Sequence, residues 1–192
     1  MKRSLIFAAL VFAGSVTAQP TVIEFRGVPL GASEATWKEK IPDIRCQETR
    51  PQFKLLADRE CYISPTVKPG DIAPEAVHFG GIAARSIQAD FYDDRLAKIT
   101  IKLTPGDVST VVLALTEKFG KPTSIESPTF KTRGGLIETN TITTRKIGTG
   151  QIVASRFADA INSASVQYTD AAGLAEFTRR QESIAKAGVK SL

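Results

Sequence analysis

Ile87-Gln88-Ala89-Asp90-Phe91-Tyr92-Asp93-Asp94-Arg95-Leu96-Ala97-Lys98-Ile99-Thr100-Ile101-Lys102-Leu103 is the most telling stretch of this chain. Ile87, Ala89 and Phe91 alternate with Gln88, Asp90 and Tyr92. After Asp93-Asp94, Ile99, Ile101 and Leu103 alternate with Lys98, Thr100 and Lys102. Alternation with period two on both sides of a short polar turn predicts an antiparallel hairpin with one face buried and one wet. Lys98, Thr100 and Lys102 therefore belong to the wet face.

The pattern changes period just downstream. Val108, Val111, Val112, Leu115 and Phe119 mark one helical stripe behind Asp107, a residue suited to capping. Gly120 closes that helix and Pro122 prevents its continuation. Further strands are expected over Leu136 to Ile147, Gln151 to Phe157 and Ser165 to Tyr168. Lys146 to Gln151, with Gly148 and Gly150, is expected to turn between two of them. A last helix is expected over Ala171 to Ala187, where Leu174, Phe177 and Ile184 form a thin apolar stripe.

Upstream, Thr21 to Arg26 is a β-prone run, and Gly27 to Gly31 reads as a turn. Ser33 is placed to cap a helix whose Trp37 and Ile41 share a face and which Pro42 stops. Asp43 to Glu60 reads as polar and irregular. Ser64 to Pro74, with three prolines, is expected to be extended and non-helical. Strands with helices set beside them mean an α+β fold, an antiparallel sheet with helices packed on one face. A capped helix ending in proline occurs twice, Ser33 to Pro42 and Asp107 to Pro122, which is the echo expected of two pseudo-repeated halves.

The first eighteen residues read as an address. Lys2 and Arg3 are followed by an uncharged apolar run, Leu5 to Ala13, and then by Val16-Thr17-Ala18 at a cleavage site. That is the build of a signal peptide, and the apolar run is too short for a membrane anchor. The expectation is cleavage after Ala18, periplasmic or secreted localisation, and a single α+β domain over residues 19–192. The two cysteines, Cys46 and Cys61, are an even count in an oxidising compartment and are expected to form one disulfide. A metal pair is disfavoured because the spacing is not C-x-x-C and no other Cys completes a ligand set.

Composition narrows the function classes. The formal charge is +5 and includes the two basic residues of the leader, so it argues for solubility more than for an anionic partner. No basic block is interleaved with aromatics, so no nucleic-acid partner is expected. His78 is the only histidine, and with both thiols assigned to a bridge no nucleophile–base pair assembles. Val77-His78-Phe79 reads better as a half-buried strand. Asp90, Asp93 and Asp94 lack the spacing of a calcium loop, and a turn explains the last two. Gly120-Lys121-Pro122-Thr123-Ser124 has Pro where a phosphate loop needs Ser or Thr, and it follows a helix end whose dipole repels phosphate. Gly80-Gly81 and Gly134-Gly135 read as bends. No cofactor and no metal are expected. A paired-carboxylate hydrolase remains open, because its two acids need not be close in sequence.

The tail offers a second surface. Arg179, Arg180, Lys186 and Lys190 face one acid, Glu182, and could touch anionic headgroups or an acidic protein. The plainer reading is a solvated helix docked through Leu174 and Phe177, since the apolar stripe is too thin for membrane anchoring.

One resemblance bears on these features. Phe25-Arg26-Gly27-Val28-Pro29-Leu30-Gly31-Ala32-Ser33, Phe91-Tyr92-Asp93-Asp94-Arg95-Leu96 and Lys118-Phe119-Gly120-Lys121-Pro122 are similar to segments of small exported bacterial proteins of the BamE and β-lactamase-inhibitor-like fold group. The chain lacks the lipid-attachment cysteine of BamE and is longer. The resemblance implies helices packed on an antiparallel sheet and a non-catalytic binding or assembly role in the cell envelope, with an envelope protein or other envelope macromolecule as partner. The alternatives are an envelope hydrolase and an accessory product with no strict ligand.

Overall fold

The computed structural model describes residues 22–41, 44–50, 57–63, 78–132 and 134–189. The signal-peptide reading, the Ser64 to Pro74 loop and Lys190 lie outside them. In chain order the elements are β1 (Glu24–Phe25), β2 (Val28–Pro29), α1 (Glu34–Lys40), β3 (Arg45–Glu48), β4 (Arg59–Ile63), β5 (His78–Phe79), β6 (Ile82–Ala83), β7 (Ser86–Tyr92), β8 (Arg95–Leu103), α2 (Val108–Phe119), β9 (Ser124–Glu126), β10 (Thr129–Lys131), β11 (Ile137–Thr139), β12 (Ile142–Ile147), β13 (Gly150–Ala160), β14 (Ser163–Thr169) and α3 (Ala171–Val189). The class is α+β. Eight strands form one antiparallel sheet in the order β3-β4-β7-β8-β14-β13-β12-β9, and three two-stranded hairpins stand outside it.

The central hairpin, β7 with β8, is the one the alternation predicts. Ile87 lies opposite Ile101 and Ala89 opposite Ile99. Asp93 and Asp94 make the turn with φ of 48° and 56°, the both-positive pattern that a two-residue hairpin needs and that Asp tolerates. The register shifts by one between Asp90 and Phe91, so Phe91 pairs with Leu96 and Ala97 is the extra residue.

The apolar set of this hairpin joins Ile152, Ala154, Val166 and Tyr168 of the neighbouring strands in one buried cluster. Two helices close that cluster. From α1, capped by the Ser33 hydroxyl accepting from the Thr36 N–H at 3.2 Å, comes Trp37, which stacks on Phe25 with centroids 5.9 Å apart. From α2 come Val108, Val111, Leu115 and Phe119, the stripe read from the sequence. Asp107 does not cap α2 with its side chain. A 3-10 turn, Pro105–Asp107, leads into the helix instead, and the Asp107 carboxylate accepts from the Thr104 hydroxyl. Gly120 ends α2 with φ 80°, its N–H donating to the Thr116 carbonyl at 2.9 Å.

Arg145 of β12 is only 1% exposed and sits under the end of α2. Its Nε donates to the Gly120 carbonyl at 3.1 Å, and its Nη2 donates to the Val112 carbonyl at 3.2 Å and to the Thr116 hydroxyl at 2.6 Å. A cation suits the negative end of a helix, where carbonyls have no intrahelical donor. Burial lowers its pKa below the usual arginine value.

Several sequence expectations change in detail. The span Leu136 to Ile147 is two strands, because Asn140 interrupts it. The Asn140 side chain accepts from the Phe157 N–H at 2.8 Å and donates to the Phe157 carbonyl at 2.9 Å, so β11 turns away to pair with β10. Asp43 to Glu60 is not wholly irregular, since it holds β3 and the start of β4, with Cys46 and Cys61 directly opposite each other. These two residues form the disulfide. His78 lies in a strand but is exposed; among the described residues β5 pairs only with β6.

Candidate functional site

The residues that alternate with the core set form the other face of the sheet. The strand pairings place them in rows that run across it. One row reads Gln47, Glu60, Asp90, Lys98, Thr169, Gln151, Lys146. The next reads Arg45, Tyr62, Gln88, Thr100, Gln167, Val153, Thr144, Ser124. A third reads Ser86, Lys102, Ser165, Ser155, Ile142, Glu126. Adjacent members stand about 4.8 Å apart, the strand spacing. The face is thus broad and mostly made of amides and hydroxyls.

Lys98, Thr100 and Lys102 sit at the middle of these three rows, one in each. They are less exposed than strict alternation implies. Thr100 is 9% exposed, because Gln88 and Gln167 flank it on the neighbouring strands. Lys98 reaches Asp90 at 2.8 Å, and Lys102 is half-buried.

The first row is electrostatically coupled. Asp90 and Glu60 are cross-strand neighbours, 1% and 8% exposed. Gln88 donates to Asp90 at 2.7 Å and to Glu60 at 3.4 Å. Burial, and then the neighbouring Asp90 charge, raise the Glu60 carboxyl above its usual pKa. No sequence signal marks this pair, since thirty residues separate two acids of ordinary context.

The C-terminal helix crosses this face at one end. The helices therefore do not all pack on one face, as the sequence suggested: α1 and α2 close the apolar side and α3 lies on the polar one. Asp170 caps α3, accepting from the Gly173 N–H at 2.6 Å, and Arg95 binds its other oxygen. Gly173 lies against β8 so closely that a Cβ there would stand 2.6 Å from the Ala97 Cβ. Further along, Arg180 donates to Asp58 at 2.8 and 2.9 Å, and its guanidinium lies 4.5 Å from the centre of the Tyr92 ring. Burial pushes the Tyr92 phenol up to about 12. Arg179 pairs with Glu176, whose carboxyl the Arg179 and Arg180 guanidiniums hold at about 2. Lys186 is exposed and 4.0 Å from Glu182. Of the basic tail residues, Arg180 therefore joins Lys98 at one end of the sheet face, while Arg179 and Lys186 stay on the helix surface.

Between α3 and the sheet lies a cavity of about 220 Å³, walled by Tyr92, Lys98, Gln151, Gln167, Thr169, Leu174 and Phe177. It continues past Gln151, Thr169 and Leu174 into an open cleft of about 580 Å³ that runs along α3 to the turn between β12 and β13. Sequence reasoning names Leu174 and Phe177 as docking residues, and both line this groove. Gln151 and Gln167 carry no signal of their own, since each is one polar residue in an alternating strand.

Among the described residues, Glu34, Cys46 and Cys61 are the group close enough to hold a metal ion. The disulfide consumes both sulfurs, and Glu34 is bound by Arg59, so the donor set does not fit a cation. No described helix is long and apolar enough to cross a membrane. Compared with known proteins, the chain matches no family model, no curated protein and no solved structure.

Proposed function

We propose that this protein is an exported, non-catalytic binding or assembly module of the bacterial cell envelope, with the amide- and hydroxyl-rich sheet face as its docking surface. The observation that carries the reading is that face itself. Across the eight-stranded sheet three aligned rows carry mostly polar side chains. A rigid sheet holds such groups at fixed spacing, which suits recognition of a large partner.

The topology supports the same reading. Each of α1 and α2 is followed by four strands of the main sheet, and the strand order mirrors itself about the β8–β14 pair. Two pseudo-repeated halves account for this, in keeping with the resemblance to the BamE and β-lactamase-inhibitor-like fold group. The leader-like start and the Cys46–Cys61 bridge support a periplasmic or secreted location.

The alternative, an envelope hydrolase, gains one observation, the close Glu60–Asp90 pair. Both carboxyls are buried, and Asp90 is tied to Lys98 and Gln88, so neither is presented to a substrate.

Site-specific photocrosslinking tests the docking surface. A crosslinking residue at Thr144, on the polar face, should capture an envelope partner in cell extracts. The same residue at Leu113, exposed on α2 away from that face, should not. Capture from Leu113 and none from Thr144 would overturn the assignment.

A further inference from the structure

We infer that the groove between α3 and the polar sheet face binds a neutral oligosaccharide carrying N-acetyl groups. The inference rests on the polar face being the binding surface, and it names the ligand class taken at one end of it.

Lys98 is paired with Asp90, Asp170 with Arg95, and Arg179 with Glu176. Groove charges are thus largely neutralised from within, with Lys146 out at the rim. Apart from Lys146 at the rim, a charged ligand would give up hydration and find each groove charge already paired. A neutral one meets no such cost.

Gln151, Gln167 and Thr169 converge on the cavity, and among the described residues no side-chain hydrogen bond engages them. A glutamine amide both donates and accepts, which matches an acetamido group in both directions, and threonine matches a sugar hydroxyl. Across from them, on α3, stand Leu174 and Phe177, and Tyr92 closes the sheet side of the cavity. A sugar ring has a polar edge and an apolar face, and an acetyl group adds a methyl, so the ligand's two sides correspond to the groove's two walls. The small cavity is of the size of one ring, and the cleft that continues from it provides for a chain of them.

The test is an NMR titration of the full-length protein with the linear tetramer of N-acetylglucosamine. The glucose tetramer and tetra-alanine serve as controls. We expect shifts confined to Gln151, Gln167, Thr169, Leu174 and Phe177, with a Kd of about 1 mM or tighter. Gln167→Leu should weaken binding at least about tenfold while the thermal midpoint stays in place, because a site built to hydrogen-bond penalises loss of that group. Phe177→Ala should weaken it too. No localised shifts, equal binding of tetra-alanine, or undiminished binding by Gln167→Leu would overturn the inference. If the sugar fails while Thr144 still captures a partner, the ligand assignment falls and the docking surface stands. If the sugar binds and Thr144 captures nothing, the groove assignment stands and the broader docking surface falls.

Discussion

Arg180 grips the carboxylate of Asp58 through both terminal nitrogens, at 2.8 and 2.9 Å, across 122 residues of chain. Its guanidinium also lies over the Tyr92 ring. One side chain thus ties the C-terminal helix to the strand system. Arg180→Ala should loosen α3 and cost about 1 kcal/mol, the partial exposure of Asp58 being allowed for. Hydrogen exchange read along α3 checks this, and a chain cut just after Arg180 should keep α3 docked. The pH dependence has a definite sign. Arg180 holds the Asp58 carboxyl below the usual range, so the unfolded chain binds that proton more readily than the folded one. The contribution is therefore present above the unfolded pKa and is lost as pH falls through the folded one. Protection in α3 should decline in that acid range for the native protein and be flatter for Arg180→Ala.

Glu60 has the opposite sign. Burial and the Asp90 charge raise its pKa, so the folded state holds that proton more tightly than the unfolded chain does. Its contribution is fully present below the unfolded pKa and is lost as pH rises through the folded one. Glu60→Gln should therefore raise the thermal midpoint at neutral pH and leave it unchanged well below the ordinary glutamate range. A lower midpoint at neutral pH would show that the ionised Glu60 is needed.

The register of β8 is open to a direct test. Ile101 lies wholly within the core, so Ile101→Asp would bury an unpartnered carboxylate and cost about 4 kcal/mol or more. Lys102→Asp, one residue on and facing the other way, should cost about 1 kcal/mol or less. Denaturant titration of both variants gives the answer, and the reverse order would place the strand out of phase by one residue.

Cys46 and Cys61 bridge adjacent strands, β3 at the sheet edge and β4 inside it. Replacing both with Ser should cost roughly 3 kcal/mol on the chain-entropy model, read from the denaturant midpoint. Thiol labelling of the unreduced, denatured protein should find neither cysteine reactive.

What was legible in the sequence was local. The β7–β8 hairpin announced itself because each side chain there meets the same environment as its neighbour two residues away. The Asp93-Asp94 turn, the Ser33 cap, the α2 stripe and the Gly120 stop are also decided within a few residues of chain. The disulfide needed only a count of two and a compartment. Lys98, Thr100 and Lys102 could be placed on one face, but their depth could not, since it depends on Gln88 and Gln167 flanking from two other strands.

The amino-acid sequence by itself determined the class of fold, the central hairpin and which of its alternating residues face the core, and the pairing of two cysteines. Each follows from covalent geometry, side-chain alternation or local capping. Tertiary structure alone decided that β8 pairs with β14, some sixty residues later, and so made one eight-stranded sheet. It alone buried Arg145 beneath a helix end rather than in solvent, set Glu60 beside Asp90, and brought Gln151 and Gln167 to a groove under α3. These outcomes turn on which distant surfaces meet. A polar residue in an alternating strand has the same local sequence signature whether water, a helix terminus or a cavity lies beyond it, and only packing says which.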